Sequence, residues 1–354
     1  MESSQISESD RDSNPIRDSN PGKELPWQPR EPFRARRWLR GGHVQTLASF
    51  LAPRRIHLAP AEERLVEVAP GVKVRCWCRW RSPDHGNRLT LIVVHGLEGS
   101  SESQYMLGVA RNGLAAGMNV VLMNQRNCGG MDHFAPTLYN SSLSADVAAV
   151  ARHLVEHEGA SHFALAGFSM GGNLALKLAG EWAKNAPPEF RAVAAVCPAM
   201  DLAASADALH EPANRLYEWY FLVQLFRRMR KKVRFFPNDF DVSRLRGVSS
   251  LRLFDDRVTA HYCGFTGADD YYARAAAANV VGQIAVPALI IHANNDPFIR
   301  IQPQTRERIL ANPHITFIET DDGGHCAFIG DPDGDGYDGH WAEREVVEFL
   351  RRFA

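Results

Sequence analysis

Cysteine is scarce in this 354-residue chain: six residues, at 76, 78, 128, 197, 263 and 326, with no C-x-x-C pair among them. That scarcity excludes a disulfide scaffold and a zinc ribbon, which need cysteines packed densely or at fixed spacings. Cys76-Trp77-Cys78 would place two thiols on one face of a strand, and they read as buried apolar groups. Long hydrophobic runs are missing too, since none approaches the roughly 20 residues that span a bilayer. The first residues, MESSQISESDRDSNPIRDSNPGKE, lack the apolar stretch of a secretion signal, so a cytoplasmic protein is expected. Neither charge is in excess, with 40 Lys and Arg against 41 Asp and Glu, which argues against nucleic acid as a partner.

What is present is the patterning of one large α/β core with additions. Residues 1–24 are polar, carry the near-repeat RDSNP twice, and are expected to be a disordered tail. From 25 to 200 runs the first part of a core, opening with an aromatic and basic stretch (27–55) that reads as an arm lying against the domain. RLVEVA (64–69) and VKVRCWCRW (72–80) alternate around Pro70-Gly71 and predict an antiparallel hairpin. LTLIVVH (89–95), NVVLMNQ (119–125), HFALAGF (162–168), RAVAAVC (191–197), ALIIHA (288–293) and ITFIET (315–320) are short apolar runs expected of strands covered on both faces. Helical stretches lie between them, clearest at 144–159, 170–186 and 339–354. This alternation predicts a mostly parallel, doubly wound sheet. One interval breaks it: residues 201–284 show no buried strand and read as a helical lid, with 285–354 completing the core.

Gly167-Phe168-Ser169-Met170-Gly171 fits G-x-S-x-G between a buried strand and a helix, the context that exposes a serine hydroxyl on a sharp turn. Serine is a weak nucleophile at neutral pH and needs a base, which in turn needs an orienting acid. Asp296 in NNDPFI and His325 in GGHCAFIG follow later strands in the order nucleophile, acid, histidine. Asp201, just after RAVAAVCPAM, is the alternative acid. The loop His95-Gly96-Leu97-Glu98-Gly99 stands where an oxyanion donor is needed, and the N–H groups of Leu97 and Met170 are the expected pair. Glu98 precedes the nucleophile and is expected to be a solvated or supporting carboxylate.

Seven segments together resemble the YheT-like branch of the α/β-hydrolase superfamily: GGHVQT (41–46), HGLEGSSES (95–103), NQRNCGG (124–130), GFSMGGN (167–173), GADDYYARAA (267–276), NNDPFI (294–299) and GGHCAFIG (323–330). The resemblance covers roughly residues 30–354. It implies the α/β-hydrolase fold and a serine hydrolase acting on carboxylic esters, with eukaryotic relatives linked to lipid and phospholipid hydrolysis. Such relatives often carry an N-terminal membrane anchor, where this chain has a polar tail. No His-x4-Asp occurs, so hydrolysis is expected rather than glycerolipid acyl transfer.

Two further motifs are weighed. DPDGDGYDGHWAE (331–343) begins like a calcium loop, but its twelfth position is Ala342 and no helix precedes it, so an acidic turn is expected. Arg227, Arg228, Arg230, Lys231, Lys232 and Arg234 follow Tyr217, Trp219, Tyr220, Phe221 and Phe226. Peripheral membrane contact is one reading of them; a solvated basic face on a lid over an apolar acyl pocket is preferred. The expected protein is an esterase of small-molecule, short- to medium-chain esters working without cofactor or metal, with a phospholipase or a catalytically silent receptor as alternatives.

Overall fold

A computed structural model describes residues 27–82, 86–333 and 336–354. The expected tail at 1–24 and part of the acidic turn, Gly334 and Asp335, lie outside the described residues. The expected hairpin is β1 (Glu62–Ala69) and β2 (Val72–Arg79), turning over Gly71 at φ 70°. β3 (Thr90–Val94), β4 (Asn119–Met123), β5 (Phe163–Phe168), β6 (Phe190–Val196) and β7 (Ala288–Ala293) are buried at every position but Arg191, as strands sandwiched between helices must be. The half-buried β8 (Ile315–Thr320) forms one edge. The order is β1-β2-β4-β3-β5-β6-β7-β8, with β2 antiparallel to both neighbours and every later pairing parallel.

Helix α1 (Gly42–Leu51) precedes the sheet, and α2 (Gln104–Ala115), α3 (Ser144–Glu158) and α4 (Met170–Trp182) follow β3, β4 and β5. Because side chains alternate across a strand, neighbouring residues feed two separate apolar layers. Ile92, Leu165 and Val193 meet Val147, Leu154 and Leu174 of α3 and α4 on one face. Leu91, Val93 and Ile291 meet Met106 and Val109 of α2 on the other, together with Val346 and Leu350 from the C-terminal helix. This is the mostly parallel, doubly wound sheet that the sequence predicts.

Between the neighbouring strands β6 and β7 stand α5 (Leu202–Leu209), α6 (Arg215–Phe235), α7 (Leu251–Phe254), a π-helical turn (Asp255–Thr259), α8 (Ala260–Cys263) and α9 (Ala268–Ala275). They share an apolar cluster built on Leu202, Leu225, Met229, Phe254 and Phe298. α10 (Pro303–Ala311) and α11 (Trp341–Leu350), which supplies Val346 and Leu350, complete the chain.

Two expectations need correction. The arm does lie on the domain, with Trp27 against Phe349 and Phe33 against Phe328, but it also carries core residues. Gln45 of α1 is fully buried, donating to the carbonyls of Leu39 and Ile329 and accepting from the Ile329 N–H. Nor is the basic run a solvated face throughout. Positions 225, 228, 229 and 232 fall on one stripe of α6 at helical spacing, so Arg228 and Lys232 turn inward while Arg227, Arg230, Lys231 and Arg234 stay exposed. Lys232 is fully buried, donating to the carbonyls of Ala135 and Asp132.

Candidate active site

β5 ends at Phe168 and α4 begins at Met170, leaving Ser169 alone on the turn at φ 54°, ψ −120°. A non-glycine residue holds such angles only where its surroundings fix it. Here the Ser169 N–H donates to Val196 O at 3.0 Å, and the neighbouring glycines allow backbones to touch. A Cβ on Gly167 would lie 2.2 Å from Gly171 O, and one on Gly171 would lie 2.2 Å from Val94 O. The glycines around the serine therefore let the ends of β3 and β5 and the start of α4 close on one point.

The loop after β7 carries Asp296, buried, with Oδ1 accepting from the N–H groups of Phe298 (3.1 Å) and Ile299 (2.9 Å). Its Oδ2 is 2.8 Å from His325 Nδ1, on the loop after β8. Burial alone would raise the Asp296 carboxyl; the His325 charge and hydrogen bond and the Ile299 N–H outweigh it and hold the group below its ordinary value. Burial would lower His325, but the charges of Cys326 and Asp296 hold it well above its ordinary value. The His325 N–H donates to Thr46 Oγ1 of α1 at 2.9 Å, and Phe298 packs on the imidazole with centroids 4.4 Å apart. His325 Nε2 lies 3.9 Å from Cys326 Sγ, and among the described residues no hydrogen bond joins it to Ser169 Oγ. Asp201 stands apart from His325: its carboxylate accepts from Gln302 N–H (2.9 Å) and Thr305 Oγ1 (2.8 Å) at the start of α10.

After β3, the Gly96 N–H donates to Tyr105 Oη (2.9 Å) and the Glu98 N–H to Tyr139 Oη (3.1 Å). No hydrogen bond among the described residues occupies the N–H of Leu97 or Met170, and both residues line the same cavity as Ser169. Burial pushes His95 down to about 4, so it is a neutral ring here. Its Nε2 accepts from Gln125 N–H at 3.1 Å while Nδ1 meets Gly96 O at 2.8 Å. Glu98 is not solvated. Its carboxylate is 6% exposed, takes two 2.7 Å contacts from Arg228 of α6, and accepts from Tyr139 Oη at 2.6 Å.

The cavity holds about 100 Å³ and is walled mainly by Leu97, Leu202, Leu225, Met229, Phe254 and Phe298. Its polar members include Asp255 on the π-helical turn, which accepts from Tyr272 Oη (2.7 Å) and Thr259 Oγ1 (2.8 Å). Burial pushes Asp255 up to about 6.

Residue periodicity does not reveal Gln45, Thr46, Arg228 or Asp255 as members of this neighbourhood. Only the GGHVQT segment held a signal for the first two.

A serine on a strained strand-to-helix turn, at the carboxyl ends of parallel strands and under a helical insertion, defines a hydrolase fold. The sequence profile of the alpha/beta hydrolase fold matches residues 90–332, and the chain belongs to that family as an enzyme of the esterase and lipase type. YheT of Escherichia coli (strain K12), a protein named as an esterase, is 33% identical over 81% of this chain and 84% of its own. The phospholipase ABHD3 of Mus musculus is 29% identical over 70% of this chain, and the match spans 60% of ABHD3. In three dimensions the esterase Pf2001 of Pyrococcus furiosus shares the fold, with a TM-score of 0.56 and 18% identity over 85% of this chain and 98% of that one.

Proposed function

We propose that the chain hydrolyses carboxylic esters of short- to medium-chain acids through an acyl-enzyme on Ser169, with His325 as general base and Asp296 orienting it. The observation that carries this reading is the 2.8 Å bond from His325 Nδ1 to a buried carboxylate, on a loop beside a serine held at positive φ. A bond from Nδ1–H to Asp296 leaves the lone pair on Nε2, the nitrogen that takes the Ser169 proton as Oγ attacks the ester carbonyl. The oxyanion forms against the N–H groups of Leu97 and Met170. His325 then protonates the leaving alcohol and activates water to release the acid. The hydrogen bond from Ser169 Oγ to Nε2, absent in the free chain, forms on substrate binding. Residues 201–284 act as a lid over the core parts 25–200 and 285–354, and their apolar cavity takes the acyl chain.

Fluorophosphonate labelling and p-nitrophenyl esters of graded length test the reading. Label on Ser169, hydrolysis favouring short to medium chains, and loss of both in Ser169→Ala are expected. A folded Ser169→Ala protein with full activity would sink it.

A second reading, hydrolysis at a lipid surface, has its own support. Helices α1 and α6 touch through Phe50 and Tyr220, with ring centroids 5.1 Å apart, and expose Phe50, Leu51, Leu216 and Trp219. Exposed apolar clusters of this kind mark interaction surfaces. Cosedimentation with vesicles and activity that rises on them, both lost in Phe50→Ser/Trp219→Ser, would favour it over the first.

A further inference from the structure

Three donor atoms converge where the mechanism uses only one. Cys197 follows β6 and is fully buried; Cys326 follows His325 and is partly accessible. Both hold positive φ, 42° and 58°. Cys197 Sγ, Cys326 Sγ and a ring nitrogen of His325 lie within 4.8 Å of one another. His325 Nε2 is 3.9 Å from Cys326 Sγ, while Nδ1 is engaged by Asp296.

We propose that Cys197, Cys326 and His325 form an inhibitory site for a thiophilic divalent cation of the zinc class, which occupies Nε2 and stops hydrolysis. A tetrahedral zinc ion with Zn–S near 2.3 Å and Zn–N near 2.0–2.1 Å separates its ligands by about 3.8 Å (S to S) and about 3.6 Å (S to N). The observed spacing is within reach of side-chain adjustment alone. Asp296 already supplies the outer partner that zinc-binding histidines use, accepting from the far ring nitrogen and fixing the tautomer. A groove bordered by Ser49, Gln104, Tyr105 and His340 leads to His325 and Cys326, giving the ion a path and a water for its fourth position. Two thiols and an imidazole select zinc-like ions over magnesium or calcium, which prefer oxygen. The adjacent set Cys197, His292 and Asp296 is no rival, because all three residues are buried and the groove that reaches His325 and Cys326 borders none of them. On binding, the thiol protons leave to solvent and His325 loses the lone pair it needs as a base. The site stands on the positions of three side chains; only its inhibitory consequence rests on the reading of His325 as base.

The test titrates chelator-treated full-length protein with Zn²⁺ and, as a spectroscopic stand-in, Cd²⁺. One ion per chain, an ultraviolet thiolate-to-cadmium charge-transfer band, and loss of both ester hydrolysis and fluorophosphonate labelling are expected, reversed by EDTA. Cys326→Ser should weaken binding by about tenfold or more, and Zn²⁺ should inhibit the hydrolysis that the variant retains only at correspondingly higher concentration. Ser169→Ala should bind Cd²⁺ as wild type does. Absence of binding, binding without the thiolate band, or Zn²⁺ inhibition undiminished in Cys326→Ser would overturn the proposal. If the wild type hydrolyses no ester, the functional reading fails, yet the cadmium titration still decides whether the site exists.

Discussion

Replacing Arg228 by methionine removes a guanidinium from one side of a pair that is nearly dry. Its Nε and Nη2 each lie 2.7 Å from the Glu98 carboxylate, Nη1 reaches Asn127 O and Asp132, and the Glu98 and Arg228 side chains are 6% and 12% exposed. At 2.7 Å and an effective dielectric near 20, the gross attraction is about 6 kcal/mol per charge pair, most of it offset by desolvation. The cost of Arg228→Met is therefore that of abandoning a buried carboxylate whose one remaining side-chain partner is Tyr139, about 3–5 kcal/mol. Melting should fall by roughly 5–15 °C in a domain of this size. Glu98 is next to Leu97, so catalysis should register the loss as well. A displaced oxyanion donor costs up to about 100- to 1000-fold in kcat, and a merely loosened one should cost about 10- to 100-fold, with a smaller change in KM for short esters. Calorimetry and steady-state kinetics on Arg228→Met, Glu98→Gln and the double variant form a thermodynamic cycle. The double variant should recover most of the lost stability, since no charge is then left unpaired. An Arg228→Met protein that melts within about 2 °C of wild type and keeps its kcat would refute the reasoning.

Asp296→Asn should lower kcat by about 10⁴ with little change in substrate binding, whereas Asp201→Asn should lower stability alone by loosening the start of α10; kinetics showing the reverse ranking would move the acid. Asp255 is raised to about 6 in the folded chain against about 3.9 unfolded, so the folded state binds the proton more tightly. Its contribution is complete below about pH 4 and is lost as pH rises through 6, leaving a penalty of about 2–3 kcal/mol at neutral pH. Urea unfolding should show Asp255→Asn more stable than wild type at pH 7.5 and equal to it near pH 4; a variant less stable at pH 7.5 would contradict this. Gly171→Ala must drive a methyl to 2.2 Å from Val94 O, and should cost about 3 kcal/mol together with ester hydrolysis, read by denaturation and by p-nitrophenyl acetate.

The sheet is readable in the sequence because each central strand is a continuous apolar run, and a two-faced burial leaves no other pattern. The candidate nucleophile, acid and base are readable because their chain order and glycine-rich surroundings carry the geometry. Arg228 and Lys232 are not, because six basic residues in a row of eight positions conceal which two face inward until the neighbours of α6 are known. Of the two roles expected for Glu98 the structure gives the supporting one, and its partner, 130 residues away, is not legible in the sequence. Cys197 and Cys326 stand 129 residues apart after different strands, and only the register of the sheet's carboxyl edge brings them together.

The contact between α1 and the histidine loop has a consequence in the order of synthesis. Thr46 receives the N–H of His325, and Gln45 clasps Ile329 across 284 residues of chain. Ribosomes add about 5–20 residues per second, so the seat of the arm emerges roughly 15–60 s after the arm itself. Closing so large a loop costs little more than closing one half as long, because the entropy grows only with the logarithm of length. The nascent chain can thus carry the Ser169 turn before the loops of Asp296 and His325 have been made. The histidine loop is seated only when it meets a helix made 279 residues earlier in the chain.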